Sequence, residues 1–217
     1  MKLLIGIPCM DFVHVEFMRC LLTLIERLKD QKVNYELHIE SGTLVYCARE
    51  RIAHYAINNH FTHVLWLDSD MVFSPEILDD LLFCGKDFVT GVYHARRKGY
   101  ASCIFTKLDF GEIDGVAKFE RAETYPSEAF EIAGCGFGCV LITTDILTNV
   151  CLNKGNCFVP TPNFGEDLAF CKRATDLGHH IWCEPSVVCG HIGHNTVYPD
   201  DYYAWKKTIS NYDEVKK

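Results

Sequence analysis

The chain has 217 residues, 48% hydrophobic and 12% aromatic, with mean hydropathy near zero. That composition excludes a disordered chain and suffices for one sizeable core. A formal net charge of −8, from 21 Lys and Arg against 29 Asp and Glu, argues against a non-specific nucleic-acid binder, which needs a basic surface.

The start, MKLLIGIPCMDF, has only a short apolar run before Asp11. It reads as a first strand and not as a secretory leader. No apolar stretch approaches the roughly 20 residues that span a bilayer, so no transmembrane segment is expected. These readings place the protein in the cytoplasm, where its 12 cysteines are expected as reduced, mostly buried thiols.

In chain order, KLLIGIP (2–8) is a buried-strand pattern stopped by Pro8. Apolar residues then recur at helical spacing over 15–29, at Phe17, Leu21, Leu24, Ile25 and Leu28. VNYELHIE (33–40) alternates as a strand, Ser41-Gly42 is a turn, and 46–58 reads as a second helix. HVLWLDSD (63–70) is a strand running into a loop. Ser74 as N-cap and Pro75 at the first helical position open a helix through Leu82. DFVTGVYH (87–94) is a further strand. The β-α-β-α-β-α-β order predicts an α/β fold with a mainly parallel central sheet and helices on both faces.

Residues 95–133 are less regular. GCGFGCVLITTDIL (134–147) opens with three glycines at alternate positions, then reads as a strand and a short helix. These glycines would let a ligand or another strand approach the backbone. A helix over 165–177 is followed by Gly178 where a C′ glycine belongs. HHIWCEPSVVCGHIG (179–193) is a strand, a turn and a histidine between glycines. The polar stretch HNTVYPDD (194–201) is expected to be mobile. An amphipathic helix over 200–212 is expected to dock on the core.

LWLDSD (65–70) pushes two carboxylates out of the end of an apolar strand. Ligands in open parallel sheets sit beyond the carboxyl ends of strands. Asp68 and Asp70, with one residue between them, can share a divalent cation, and oxygen ligands suit Mg²⁺ or Mn²⁺. His191, in a glycine-flanked loop after a strand, is a candidate third metal ligand. Glu166 and Asp167 sit at the positive end of a helix dipole. The Arg96-Arg97-Lys98 run follows a strand at the same sheet edge and is a candidate for phosphates.

The segments IPCMD, CARERIAHYAI, HVLWLDSDMVFSPEIL, FVTGVY, AGCGFGCVLIT, FGEDLAFCKRATDLGHHIWCEP and GHIG span about 190 of the 217 residues. In this order they resemble a GT-A-fold glycosyltransferase, similar to family 2 and its relatives. The resemblance implies a single Rossmann-like domain over 1–217, with a nucleotide-binding part at about 1–100 and an acceptor and catalytic part at about 101–217. It implies transfer of a sugar from a nucleotide-sugar donor, UDP- or GDP-linked, to a glycan or other hydroxyl acceptor, with Mn²⁺ or Mg²⁺. Asp70 would bind the metal directly, and His191 would complete the shell. Asp68 would meet the donor ribose or reach the metal through water. Pro8, Cys9 and Asp11 would line the nucleotide pocket, with Ser41 and Arg49 nearby. Asp167, or else Glu166, would be the catalytic base of an inverting reaction.

Two departures from the family pattern bear on the donor. Glu40-Ser41-Gly42 replaces the aspartate-rich turn that many relatives use on the base, and Glu50 stands where many carry Asn. Four rivals stay open at this point. One is a retaining GT-A transferase, in which Glu166 and Asp167 bind hydroxyls. A nucleotidyltransferase is disfavoured because IPCMDFVHVEF has no glycine after Gly6. A non-catalytic sugar- or nucleotide-binding module is another. The last is a zinc-binding interaction domain, for which the closest spacings are Cys135-x₃-Cys139 and Cys183-x₅-Cys189.

Overall fold

The computed structural model describes residues 1–97, 99–111, 115–193 and 196–215. Strand β1 (Lys2–Pro8) leads through α1 (Val15–Asp30) to β2 (Asn34–Glu40), then through α2 (Val45–Asn58) to β3 (His63–Leu67). β1 pairs in parallel with both β2 and β3. Next come β4 (Met71–Val72), α3 (Ile77–Phe83), β5 (Phe88–Val92), β6 (Ile104–Asp109), β7 (Lys118–Arg121), β8 (Phe130–Ile132) and β9 (Gly134–Cys135). The chain ends with β10 (Cys139–Thr143), α4 (Thr144–Lys154), α5 (Glu166–Asp176), β11 (Ile181–Val188), β12 (Gly190–Ile192), β13 (Thr196–Val197) and α6 (Pro199–Val215).

The central sheet has seven strands in the order β2-β1-β3-β10-β5-β11-β8. Strands β2, β1, β3, β5 and β11 share one direction, while β10 and β8 oppose it. The mainly parallel sheet is therefore as expected, but β5 does not lie beside β3. β10 inserts between them, antiparallel to both. Apolar periodicity identifies CVLIT as a buried strand; it does not specify its neighbours.

Alternation along the strands feeds two cores. Leu3, Ile5, Ile7, Leu65 and Leu67 face α1 and α3, meeting Phe17, Leu21, Leu24, Leu28, Ile77, Leu78 and Leu81. Leu4, Val64 and Trp66 face α2, α4 and α5, where Phe137, Phe158 and Phe170 pack with them. In this second core the rings of Phe158 and Phe170 stack at 4.7 Å, and Trp66 meets Phe158 edge-on at 5.3 Å. Fully burying each such side chain contributes about 1.5–3 kcal/mol.

Some local expectations need correction. The third helix starts at Ile77, because Pro75 and Glu76 form a turn in which the Glu76 N–H donates to Ser74 Oγ at 3.2 Å. Of the stretch 194–201, residues 194 and 195 lie outside the described residues, as does Lys98. The rest of that stretch is structured: Thr196–Val197 pairs with β12, and Pro199 begins α6. α6 docks on the core as expected, with Tyr202 against His94 at 5.2 Å. Gly178 has φ +85°, as a C′ glycine requires. The cysteines are not all free. Cys151, near the end of α4, is joined to Cys157, because the chain reverses at Gly155 with φ +82° and brings their Cα atoms within 5.2 Å. The other ten are free. Among the described residues, no helix is long and apolar enough to cross a membrane.

Candidate functional site

Asp68 and Asp70 leave β3 on a tight reversal. The Asp68 N–H donates to the Gly138 carbonyl and the Met71 N–H returns to the Asp68 carbonyl, both at 3.1 Å. The reversal sends β4 back antiparallel to β12, with His191 opposite Met71 and Gly190 opposite Val72. The Ile192 N–H donates to the Asp70 carbonyl at 2.8 Å. A short backbone ladder thus carries His191 to the two aspartates.

His191 Nδ1 lies 2.9 Å from the His94 carbonyl oxygen. A carbonyl only accepts, so Nδ1 carries the proton and the neutral ring presents the Nε2 lone pair. Nε2 is 3.5 Å from Asp70 Oδ2, longer than a good hydrogen bond. Asp70 also pairs with Arg96, whose Nη1 reaches the Ile192 carbonyl at 3.2 Å. Burial pushes the Asp70 carboxyl up, but His191 and Arg96 outweigh it and hold the group below its ordinary range. Burial opposes charge on His191, and Asp70 outweighs that, so the imidazole is raised. At Asp68 burial wins and the carboxyl is lifted, with Arg49 limiting the rise.

These groups line a cleft of about 260 Å³ at the carboxyl ends of β1 and β3, together with Pro8, Cys9, Met10, Thr43, Val45 and Ser69. Two carboxylates and one imidazole lone pair are donor types that Mn²⁺ takes, and Mg²⁺ where oxygen dominates; of the three side chains, Asp70 and His191 are in contact, at 3.5 Å. Of the residues read from the sequence, Pro8, Cys9, Asp68, Asp70, Arg96 and His191 share this cleft. Asp11 and Ser41 are exposed and do not line it. Glu40 is held by Arg51 at 2.7 Å and His38 at 3.3 Å, so its carboxylate is already engaged. Met10, Thr43, Val45 and Ser69 were missed. Thr43 and Val45 follow Gly42 at the carboxyl end of β2, where open α/β sheets place ligands, and that position was a usable signal.

Arg49 lies behind the cleft, 3% exposed, on the buried side of α2. Its Nη2 is 2.8 Å from Asp68 Oδ1, and its Nη1 is 2.9 Å from Glu166 Oε1. Burial works against its charge, but Asp68 and Glu166 outweigh that and raise its pKa further. Asp167 follows at the start of α5. Its Oδ1 accepts the Leu168 N–H at 2.8 Å. Burial pushes Asp167 up to about 6, against Arg49 and with Glu166 and Asp68.

The glycines of GCGFGC admit both another strand and a side chain: Gly134 pairs with Phe105 of β6, and Tyr93 closes on Gly136 and Gly138. A Cβ on Gly136 would sit 2.1 Å from Tyr93 Oη and 3.6 Å from Asp167 Oδ2. The Gly138 N–H donates to Tyr93 Oη at 3.0 Å. Tyr93 is 4% exposed, and sequence reasoning gave it no role.

The fold and site define a mixed α/β protein with an acid- and imidazole-lined cleft at the carboxyl ends of its parallel strands. No family model matches the chain, and no curated protein matches its sequence. Among solved structures, the chain is similar in fold to A197 from STIV, at 18% identity and a TM-score of 0.55, over 92% of this chain and 91% of that one. A weaker likeness is to a glycosyltransferase involved in the glycosylation of the major capsid of PBCV-1, at 16% identity and a TM-score of 0.34, over 71% of this chain and 68% of that one.

Proposed function

We propose that the protein is a glycosyltransferase that moves a sugar from a nucleotide-sugar donor to an acceptor hydroxyl, with inversion. The observation that carries this reading is that Asp68, Asp70 and His191 line one cleft, while Arg49 ties Asp68 to Glu166 beside Asp167. The cleft suits a metal and a diphosphate. The carboxylates at the start of α5 suit a proton acceptor.

Asp70, His191 and Asp68 would hold Mn²⁺ or Mg²⁺. A cation held there supplies positive charge against the charge that grows on the departing nucleoside diphosphate. Arg96, at the same cleft, adds a guanidinium that pairs with phosphate oxygens. Pro8, Cys9, Met10, Thr43 and Val45 shape the wall for the nucleoside, which is UDP- or GDP-derived in this reading.

Asp167 takes the proton of the acceptor hydroxyl. A carboxylate lifted to about 6 is ionised at neutral pH, yet basic enough to accept a proton in the transition state. Arg49 orients Asp68 and Glu166 and sets the charge around Asp167 without touching the reacting atoms.

The test is product analysis with UDP- and GDP-sugars and a panel of glycan acceptors, for the wild type and Asp167→Asn. Transfer with inverted anomeric configuration, lost by at least about 10²-fold in the variant, supports the reading. Retained configuration, or an unchanged rate in the variant, removes Asp167 as base.

A further inference from the structure

A separate cluster of candidate metal ligands lies next to Arg49 along α2. Glu50, Cys151 and Cys157 converge, with one ligand atom of each within 4.8 Å of the others. His54, one helical turn beyond Glu50, places Nε2 3.2 Å from Glu50 Oε1 but stands outside that convergence. Three donor groups thus come from three segments: α2, the end of α4 and the loop after it.

We propose that, with Cys151 and Cys157 reduced, Glu50, Cys151 and Cys157 bind a Zn²⁺ whose fourth position is left to water. The donor types are those zinc takes: two thiolates and a carboxylate. The Glu50 carboxylate is already held by two backbone N–H groups. The Cys157 N–H donates to Glu50 Oε1 at 3.0 Å and the Phe158 N–H to Glu50 Oε2 at 2.6 Å. Arg173 Nη1 donates to the Cys157 carbonyl at 3.1 Å. These bonds hold the ligand-bearing loop whether or not the sulfurs are joined. The half-exposed His54 leaves an entry path.

The structure holds the pair as a disulfide, so the metal form follows reduction. A dithiol reductant delivers two electrons and two protons to the S–S bond and is itself oxidised to a disulfide. Zn²⁺ then binds the two thiolates and releases the two thiol protons. The disulfide and the zinc are alternative clamps on one loop, which runs on to Gly165 and Glu166. This site is not built on the zinc spacings noted in the sequence. Cys135, Cys139, Cys183 and Cys189 are all 0% exposed in the core. It also does not depend on the transferase reading.

The test is Co²⁺ titration of the whole protein, fully reduced and then freed of reductant, read by the thiolate-to-cobalt charge-transfer band and the visible bands of a tetrahedral ion. The expected result is one equivalent bound and displaced by Zn²⁺. The oxidised protein should give no such bands. Cys157→Ser and Cys151→Ser should each lower affinity by at least about tenfold, as loss of a zinc ligand does. Asp70→Ala should leave the signal intact, which separates this site from the cleft. Bands absent from the reduced wild type would overturn the proposal and leave the pair a disulfide only. Bands that survive both serine substitutions would overturn it in favour of other thiols. The wild-type comparison needs no variant to fold.

Discussion

Arg49 donates to Asp68 at 2.8 Å while a second nitrogen of the same guanidinium holds Glu166 at 2.9 Å. One buried cation therefore bridges the acid at the end of β3 and the acid at the start of α5. It offsets the repulsion among these two carboxylates and Asp167. The ion pairs are buried enough for the loss of one partner to matter far more than at a surface.

Arg49→Met should destabilise the fold by about 3–5 kcal/mol, because two partly buried carboxylates lose their cation. Arg49→Lys should fall between, since an ammonium cannot fork to two acids. Urea denaturation measures both. A cost below about 1 kcal/mol for the methionine variant would mean that the bridge contributes little.

Asp167→Asn should stabilise the protein while slowing transfer by at least about 10²-fold. The folded carboxyl is raised to about 6 from an ordinary 3.8, so ionisation is easier in the unfolded chain. The wild type therefore loses stability relative to the variant as pH rises through that window. The gap is full above about 6 and closes below about 4, with a size of order 1–3 kcal/mol at pH 8. Melting curves of both proteins at pH 4 and pH 8 check the sign.

In the proposed reaction the same group should set the acid limb of the rate. With Asp167 as base, kcat/KM should fall about tenfold per pH unit below about 6 and lose that limb in Asp167→Asn. A flat profile from pH 5 to pH 7 would be incompatible with this assignment.

Gly136→Ala should cost about 1–3 kcal/mol, because its Cβ would lie 2.1 Å from Tyr93 Oη. In a Tyr93→Phe background the cost should shrink, since the clashing oxygen is gone. A double-mutant cycle reads this coupling, and strict additivity would mean the clash is relieved elsewhere.

Local pattern carried much of this structure. The first strand, the helix of Phe17, Leu21, Leu24 and Leu28, and the strand before Asp68 stand where periodicity places them. The cleft residues Asp68, Asp70 and His191 were legible for the same reason, because each follows a strand pattern. Pairing was not legible. Nothing in CVLIT says that it lies between β3 and β5, or runs against them. The resemblance places Arg49 near the nucleotide pocket, but nothing in the sequence pairs it with Asp68 and Glu166. The glycines of GCGFGC signalled a close approach, but only the structure names Tyr93 as the group that approaches. The Cys151–Cys157 bond depends on a chain reversal at Gly155 that composition does not reveal.

The most direct test of the central claim is thermal unfolding with UDP, GDP, dTDP and CMP, each with and without Mn²⁺, using Asp70→Ala as control. Ligand at a hundred times its Kd adds about 2.7 kcal/mol, which is several degrees in Tm for a chain of this size. The expected result is a rise of that order for UDP or GDP that needs Mn²⁺ and vanishes in Asp70→Ala. No rise with any nucleotide, or one that persists without Mn²⁺ and in the variant, would contradict it.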